Sequence, residues 1–153
     1  MEIERKFLVK ELPSDIEQYP HIEIEQGYLC TSPTLRIRKA GDCYWLTVKE
    51  NKQTKSGAIH NREEEFQLSS EKYNILKAKC DGRMVCKTRY MIPLAKNNLI
   101  AELDIFHGYH EGIVLVEVEF PSTIDADTFI PPSWFGNDVS KLPQYRNSNM
   151  AFQ

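Results

Sequence analysis

From the N-terminus to Phe120 the chain alternates apolar and polar residues with period two, in short runs rich in β-branched and aromatic side chains. Clusters of Gly, Pro, Asn, Asp and Lys break the runs. The pattern predicts antiparallel strands over Glu2–Val9, Ile22–Cys30, Thr34–Lys39, Cys43–Glu50, Ala58–Leu68, Arg83–Ile92, Leu99–Phe106 and Ile113–Phe120. Ser32-Pro33, Ala40-Gly41-Asp42 and Lys96-Asn97-Asn98 supply turn chemistry between them. After the fifth strand, Ser69-Ser70-Glu71 followed by Tyr73, Leu76 and Lys77 predicts an N-capped helix of about ten residues ending near Asp81-Gly82. The tail beyond Pro121, with Pro131-Pro132, Trp134-Phe135 and Asp138-Val139-Ser140, predicts short helical turns and no further strand. Eight strands suffice to close a barrel. The expected fold class is therefore mainly β (α+β), a closed eight-stranded antiparallel β-barrel with a few short helices packed outside and at the C-terminus, in one domain spanning residues 1–153.

Residues two apart in a strand share a face at a spacing of about 6.6 Å, so each strand can be sorted into two sides. Glu2, Glu4 and Lys6 share one side of the first strand, Arg36 and Arg38 one side of the third, and Trp45, Thr47 and Lys49 one side of the fourth. Lys87 and Arg89, Glu102 and Asp104, and Glu117 and Glu119 pair in the same way farther on, the last opposite Val114, Val116, Val118 and Phe120. A single charged face normally meets solvent. Here acids pair on three strands and bases on two, while the helix and tail need apolar surface to pack on. Apolar faces turned outward would leave the charged faces lining the interior. Such an interior must hold a polyanion and cations, because unpaired buried charge is costly. Clustered carboxylates suit hard divalent ions such as Mg²⁺ or Mn²⁺. Arg36, Arg38 and Arg89 can contact phosphate through two N–H groups each, with Lys6, Lys49 and Lys87 as point charges. Together they are the kit for phosphoryl transfer.

Composition narrows the classes. Of 153 residues 41% are hydrophobic and 27% charged, enough for one sizeable core. The net charge of −3 argues against a broad nucleic-acid surface, though it leaves room for a local basic pocket. No apolar run approaches the roughly 20 residues of a membrane span, and Met1-Glu2-Ile3-Glu4-Arg5-Lys6 lacks the apolar core of a secretory signal. Cys30, Cys43, Cys80 and Cys86 show no metal-finger spacing and are expected as reduced thiols in a cytoplasmic protein, with disulfides as the alternative. His107-Gly108-Tyr109-His110 offers two imidazoles at a spacing that suits ligation on a helix, so the pair is expected in a loop without a metal. Trp134-Phe135 is expected as core packing for the tail.

The ordered set of motifs resembles the CYTH superfamily, the triphosphate tunnel metalloenzymes. Glu2-x-Glu4-x-Lys6 matches the family's E-x-E-x-K motif, followed in family order by Gln26-Gly27-Tyr28-Leu29, Leu35-Arg36-Ile37-Arg38, Leu46-Thr47-Val48-Lys49, Lys87-Thr88-Arg89-Tyr90, Glu102-Leu103-Asp104-Ile105-Phe106 and Val116-Glu117-Val118-Glu119. The tail from Trp134 to Val139, with Tyr145 to Asn149, also resembles the family's signature. The resemblance implies an eight-stranded tunnel that takes a triphosphate end on and depends on Mg²⁺ or Mn²⁺. It implies Glu2, Glu4, Glu117 and Glu119 as metal ligands, and Lys6, Arg36, Arg38, Lys49, Lys87 and Arg89 as phosphate-binding residues. Glu102 and Asp104 are implied in a metal, water-positioning or lysine-orienting role. Alternation alone leaves open which of Glu63, Glu64 and Glu65 turn inward; the family pattern favours Glu63 and Glu65, and a bulge near Arg62 would reverse that. Tyr28 and Lys87 are the rival proton acceptors: an unperturbed phenol is a poor base at neutral pH, and a lysine crowded by Arg89 loses its proton more easily.

The superfamily covers inorganic triphosphatases, thiamine triphosphatases, RNA 5′-triphosphatases and class IV adenylate cyclases. A compact chain that opens on the motif and shows little base-binding surface fits hydrolysis of inorganic tripolyphosphate to pyrophosphate and phosphate. The alternatives are a class IV-like adenylate cyclase, a thiamine or nucleoside triphosphatase, and a non-catalytic polyphosphate- or nucleotide-binding module. A lipocalin-like barrel fails on its need for an apolar interior. The expected partner is a small triphosphate, with no nucleic acid and no membrane, and apolar outer strand faces would suit a homodimer. Lys141-Leu142-Pro143-Gln144 replaces a stretch that is often acidic in the family.

Overall fold

The computed structural model describes residues 2–53 and 59–153. Nine strands form: β1 (Ile3–Val9), β2 (His21–Thr31), β3 (Thr34–Ala40), β4 (Cys43–Gln53), β5 (Ile59–Leu68), β6 (Asp81–Pro93), β7 (Ile100–His107), β8 (Val114–Phe120) and β9 (Phe135–Asp138). The helices are α1 (Ser70–Lys77), α2 (Thr123–Thr128) and α3 (Asn147–Met150). The predicted strands are all present within one to three residues, apart from the expected start at Ala58, which lies outside the described residues. None of the helices among the described residues is long and apolar enough to cross a membrane. All four cysteines are free thiols.

Two compact units divide the chain. The first comprises Glu23–Cys86 and Arg146–Gln153. Its strand order is β5-β4-β3-β2-β6. The pairing aligns Gln26 with Arg38 and Trp45, Tyr28 with Arg36 and Thr47, and Thr34 with Lys49. The β4–β5 register then runs unbroken from Tyr44↔Leu68 to Gln53↔Ile59. Helix α1 packs on the opposite face. Ser69 caps it by accepting from the Lys72 backbone N–H at 3.2 Å, and Tyr73 is buried beside Tyr44 with ring centroids 5.0 Å apart. The Tyr73 hydroxyl donates to Glu25 at 2.8 Å and Lys77 pairs with Glu25 at 2.9 Å, which ties the helix to β2. Gly27 lets the Met84 side chain lie close over β2: a Cβ there would stand 2.5 Å from the Met84 sulfur and would push that side chain aside.

The second unit comprises Glu2–Ile22 and Lys87–Tyr145. Its order is β6-β7-β8-β1-β9, with the long β6 contributing residues to both units. Phe7, Tyr90, Leu103, Val116, Val118, Phe120 and Phe135 form its core, with Phe129 and Trp134 packed against them. These are the apolar sides of the alternating strands, so the charged residues of β1, β7 and β8 project from the other face. Arg5 belongs to the apolar side. Its guanidinium is satisfied by Asp138 at 2.9 Å, by the Ala126 carbonyl at 2.9 Å and by the Phe7 ring at 4.9 Å.

Two expectations are corrected. The tail does form a strand: β9 pairs with β1 through Phe7↔Asp138 and Val9↔Phe135, because the side of β1 away from β8 otherwise leaves backbone donors and acceptors unpaired. Nine strands form among the described residues where eight were expected, within the expected mainly β class with short helices.

Candidate active site

On the charged face of the second unit, register sets Glu4 opposite Glu119, Lys6 opposite Glu117, and Glu117 opposite Glu102. Glu4 and Glu117 share a hydrogen bond. That bond, partial desolvation of the carboxyl beside Glu117 and the negative charges of Glu117 and Glu2 push the Glu4 carboxyl up to about 8. Burial alone would raise Glu117, but the bond from Glu4 and the positive charges of Lys6 and Arg89 hold it below its ordinary value. Two carboxyl groups so placed share a proton unless a cation takes its place. Lys6 stands 3.8 Å from Glu117 and donates to the Tyr145 carbonyl at 2.9 Å. Glu2, Glu4 and Glu119 are exposed and Glu117 is half-buried.

Deeper on the same face, Lys87 is 1% exposed and pairs with Asp104 at 2.9 Å. Arg89 grips Asp104 through Nε at 2.8 Å and Nη2 at 2.9 Å, and reaches Glu102 through Nη1 at 2.8 Å. Burial acts to raise Asp104, yet the two cations outweigh it and hold the carboxyl down at about 2. Glu102 is raised, chiefly by burial, against the pull of Arg89.

In the first unit the expected residues also share one face by register. Arg38 donates from Nε to Gln26 at 3.0 Å, and Gln26 donates to the Tyr28 hydroxyl at 2.9 Å. Arg36 donates to Thr47 at 3.3 Å and bonds the Tyr28 hydroxyl, while its Nε is buried with no partner among the described residues. Burial pushes the Tyr28 phenol up despite the nearby guanidiniums, so Tyr28 stays a neutral donor at neutral pH. Lys49 lies opposite Glu63, and Thr47 opposite Glu65, which puts Glu63 and Glu65 on the face of Arg36 and leaves Glu64 on the other, paired with Arg62 at 2.6 Å. Glu63 and Glu65 are both exposed.

Gln26 and Thr47, buried at 0% and 2%, lie outside the expected site set yet hold Arg38 and Arg36. Their signal is legible: each is a polar position two residues from Tyr28 or Lys49. The Tyr145 carbonyl has no such signal, because a backbone acceptor can belong to any residue. His107 hydrogen-bonds Thr88 at 2.7 Å, and His110 is buried in the turn between β7 and β8.

Among the described residues no three carboxylate, imidazole or thiol groups are gathered to hold a metal. The Glu4–Glu117 pair still fits a hard divalent ion. Such ions keep several waters and are commonly held by one or two carboxylates together with substrate phosphates.

Residues 1–119 match the CYTH domain family. The chain belongs to that family. It is 40% identical to an inorganic triphosphatase of Nitrosomonas europaea over 98% of this CYTH chain and 96% of the relative. It is 31% identical to an inorganic triphosphatase of Acetivibrio thermocellus over 98% and 92%. The crystal structure of the inorganic triphosphatase NE1496 superposes with a TM-score of 0.76 at 36% identity, covering 100% of this chain and 95% of that one.

Proposed function

We propose that this CYTH protein hydrolyses triphosphates with the aid of a divalent metal, most effectively inorganic tripolyphosphate, giving pyrophosphate and phosphate. Two full-length relatives named inorganic triphosphatase support the reaction class. The observation that carries the chemistry is the carboxyl pair Glu4–Glu117 on the same face as Lys6, Lys87 and Arg89. When bound, Mg²⁺ or Mn²⁺ supplies neutralisation of phosphate oxygens and polarisation of the attacking water. Glu4 and Glu117 would hold it, with Glu2 and Glu119 on the same face as further oxygen donors.

Arg36, whose buried Nε has no partner among the described residues, offers that N–H to a phosphate oxygen. Arg38, Lys49, Lys6 and Arg89 add positive charge, and Tyr28 donates a hydrogen bond. Glu63 and Glu65 stand beside these cations as water- or metal-orienting acids. Lys87 contributes a buried ammonium that steadies charge as the terminal phosphoryl group is transferred to water. Catalysis of this kind is positioning and charge stabilisation. We read residues 1–153 as one functional module.

Phosphate release from tripolyphosphate, pyrophosphate, ATP and thiamine triphosphate, with Mg²⁺, Mn²⁺ or chelator, tests the reading. Release from tripolyphosphate that stops with chelator is the expected result. Cyclic AMP from ATP would place the chain with the cyclases, and no turnover of any substrate would leave a phosphate-binding module.

A further inference from the structure

The carboxylates of the second unit divide into two kinds by how their oxygens are used. Asp104 spends both. Its Oδ1 accepts from Arg89 Nε at 2.8 Å, and its Oδ2 accepts from Arg89 Nη2 at 2.9 Å and Lys87 Nζ at 2.9 Å. Its side chain is 8% exposed and that of Lys87 1%. The Phe106 ring, 5.4 Å from Lys87 Nζ, closes the ammonium in from another side. A carboxylate has about four acceptor sites, and three of these are occupied by cationic donors that cannot leave without baring buried charge. Glu102 differs: it takes one cationic contact, from Arg89 Nη1 at 2.8 Å, and its side chain is 29% exposed. Sequence alternation places Glu102 and Asp104 together as equivalent acids, and the contacts separate them.

We propose that Asp104 is a positioning residue that sets the Lys87 ammonium and the Arg89 guanidinium for a phosphate chain, and is not a metal ligand. The proposal rests on the triphosphatase reading for the identity of that chain. Arg89 is a flexible side chain with a planar fork; holding its Nε–Nη2 edge on a buried carboxylate fixes the plane of the whole group. Lys87, a point charge on four methylenes, has no directional preference of its own, and Asp104 supplies one. The inference opposes a simple charge argument. Removing a negative charge beside two cations should strengthen binding of a polyanion; removing a positioning group should weaken it.

The test uses the full chain and tripolyphosphate. Calorimetry in excess chelator reads phosphate affinity without turnover, and steady-state kinetics read KM, kcat and the Mn²⁺ concentration for half-maximal rate. Asp104→Asn is expected to weaken metal-free tripolyphosphate binding about tenfold, to lower kcat more than it raises KM, and to leave the Mn²⁺ requirement within about twofold. Glu117→Gln is expected to do the reverse, raising the Mn²⁺ requirement and sparing metal-free binding. A Mn²⁺ requirement raised by Asp104→Asn as much as by Glu117→Gln overturns the proposal, as does unchanged or tighter tripolyphosphate binding. If Asp104→Asn does not fold, Asp104→Glu keeps the charge and displaces the carboxyl by one methylene. Weaker binding by about threefold then supports positioning, and wild-type affinity overturns it. Failure of the wild-type chain to bind or hydrolyse tripolyphosphate defeats the triphosphatase reading and this proposal together; wild-type turnover with an indifferent Asp104→Asn defeats the proposal alone.

Discussion

In the unit built on β2–β5, Arg36 and Arg38 donate to the neutral oxygens of Thr47, Tyr28 and Gln26; in the other, Lys87 and Arg89 are gripped by Asp104 and Glu102. Among the described residues, then, Arg36 is held by neutral oxygens, whereas Lys87 and Arg89 are held by carboxylates. A guanidinium held by neutral acceptors keeps its positive field for an anion, whereas one gripped by carboxylates is largely neutralised and instead becomes a fixed geometric element. The first face is suited to gripping phosphate. The second, with its Glu4–Glu117 carboxyl pair, is suited to a cation.

The largest expected effect breaks the second half of that contrast. Glu117→Gln should cost about a thousandfold in kcat at saturating tripolyphosphate, ~4 kcal/mol, with folding retained. Next, Asp104→Asn should lower the unfolding free energy by about 3 kcal/mol in urea, since it removes the partner of two buried cations. Asp104 is held down at about 2 against an ordinary 3.8, so its stabilisation is in place above pH 4 and is lost as the pH falls through about 2. The gap between wild type and variant should therefore close on acidification toward pH 2. Arg36→Gln addresses the first face: KM for tripolyphosphate should rise about thirtyfold, ~2 kcal/mol, while stability changes less, because the buried Nε has no partner among the described residues and the Thr47 and Tyr28 hydroxyls it gives up are neutral. The smallest effect is a control. Ser69→Ala removes the α1 cap on the opposite side of the same strands and should cost about 1 kcal/mol of stability with KM unchanged.

Most of the β architecture is legible in the sequence, because period-two alternation over seven or more residues has no competing interpretation. The N-cap at Ser69 is legible for the same local reason. β9 is not: Phe135–Asp138 is four residues long, contains Gly136 and Asn137, and follows two prolines, so its pairing comes from the unpaired edge of β1 and not from its own propensity. Alternation also assigns faces without assigning partners. It groups Lys87 with Arg89 and Glu102 with Asp104, but whether a lysine is crowded by a like charge or clamped by an acid depends on the stagger between β6 and β7. The expectation that Arg89 would ease proton loss from Lys87 meets Asp104 at 2.9 Å from that ammonium. On β5, three consecutive glutamates carry no internal signal for their orientation; the β4 register supplies it through Lys49↔Glu63.

The division of labour between the two faces is tested most directly by calorimetric titration of tripolyphosphate into chelator-treated Arg36→Gln and Glu4→Gln. The account predicts a loss of affinity of about thirtyfold for Arg36→Gln and wild-type or tighter binding for Glu4→Gln. Metal-free binding that survives Arg36→Gln and collapses with Glu4→Gln would contradict it.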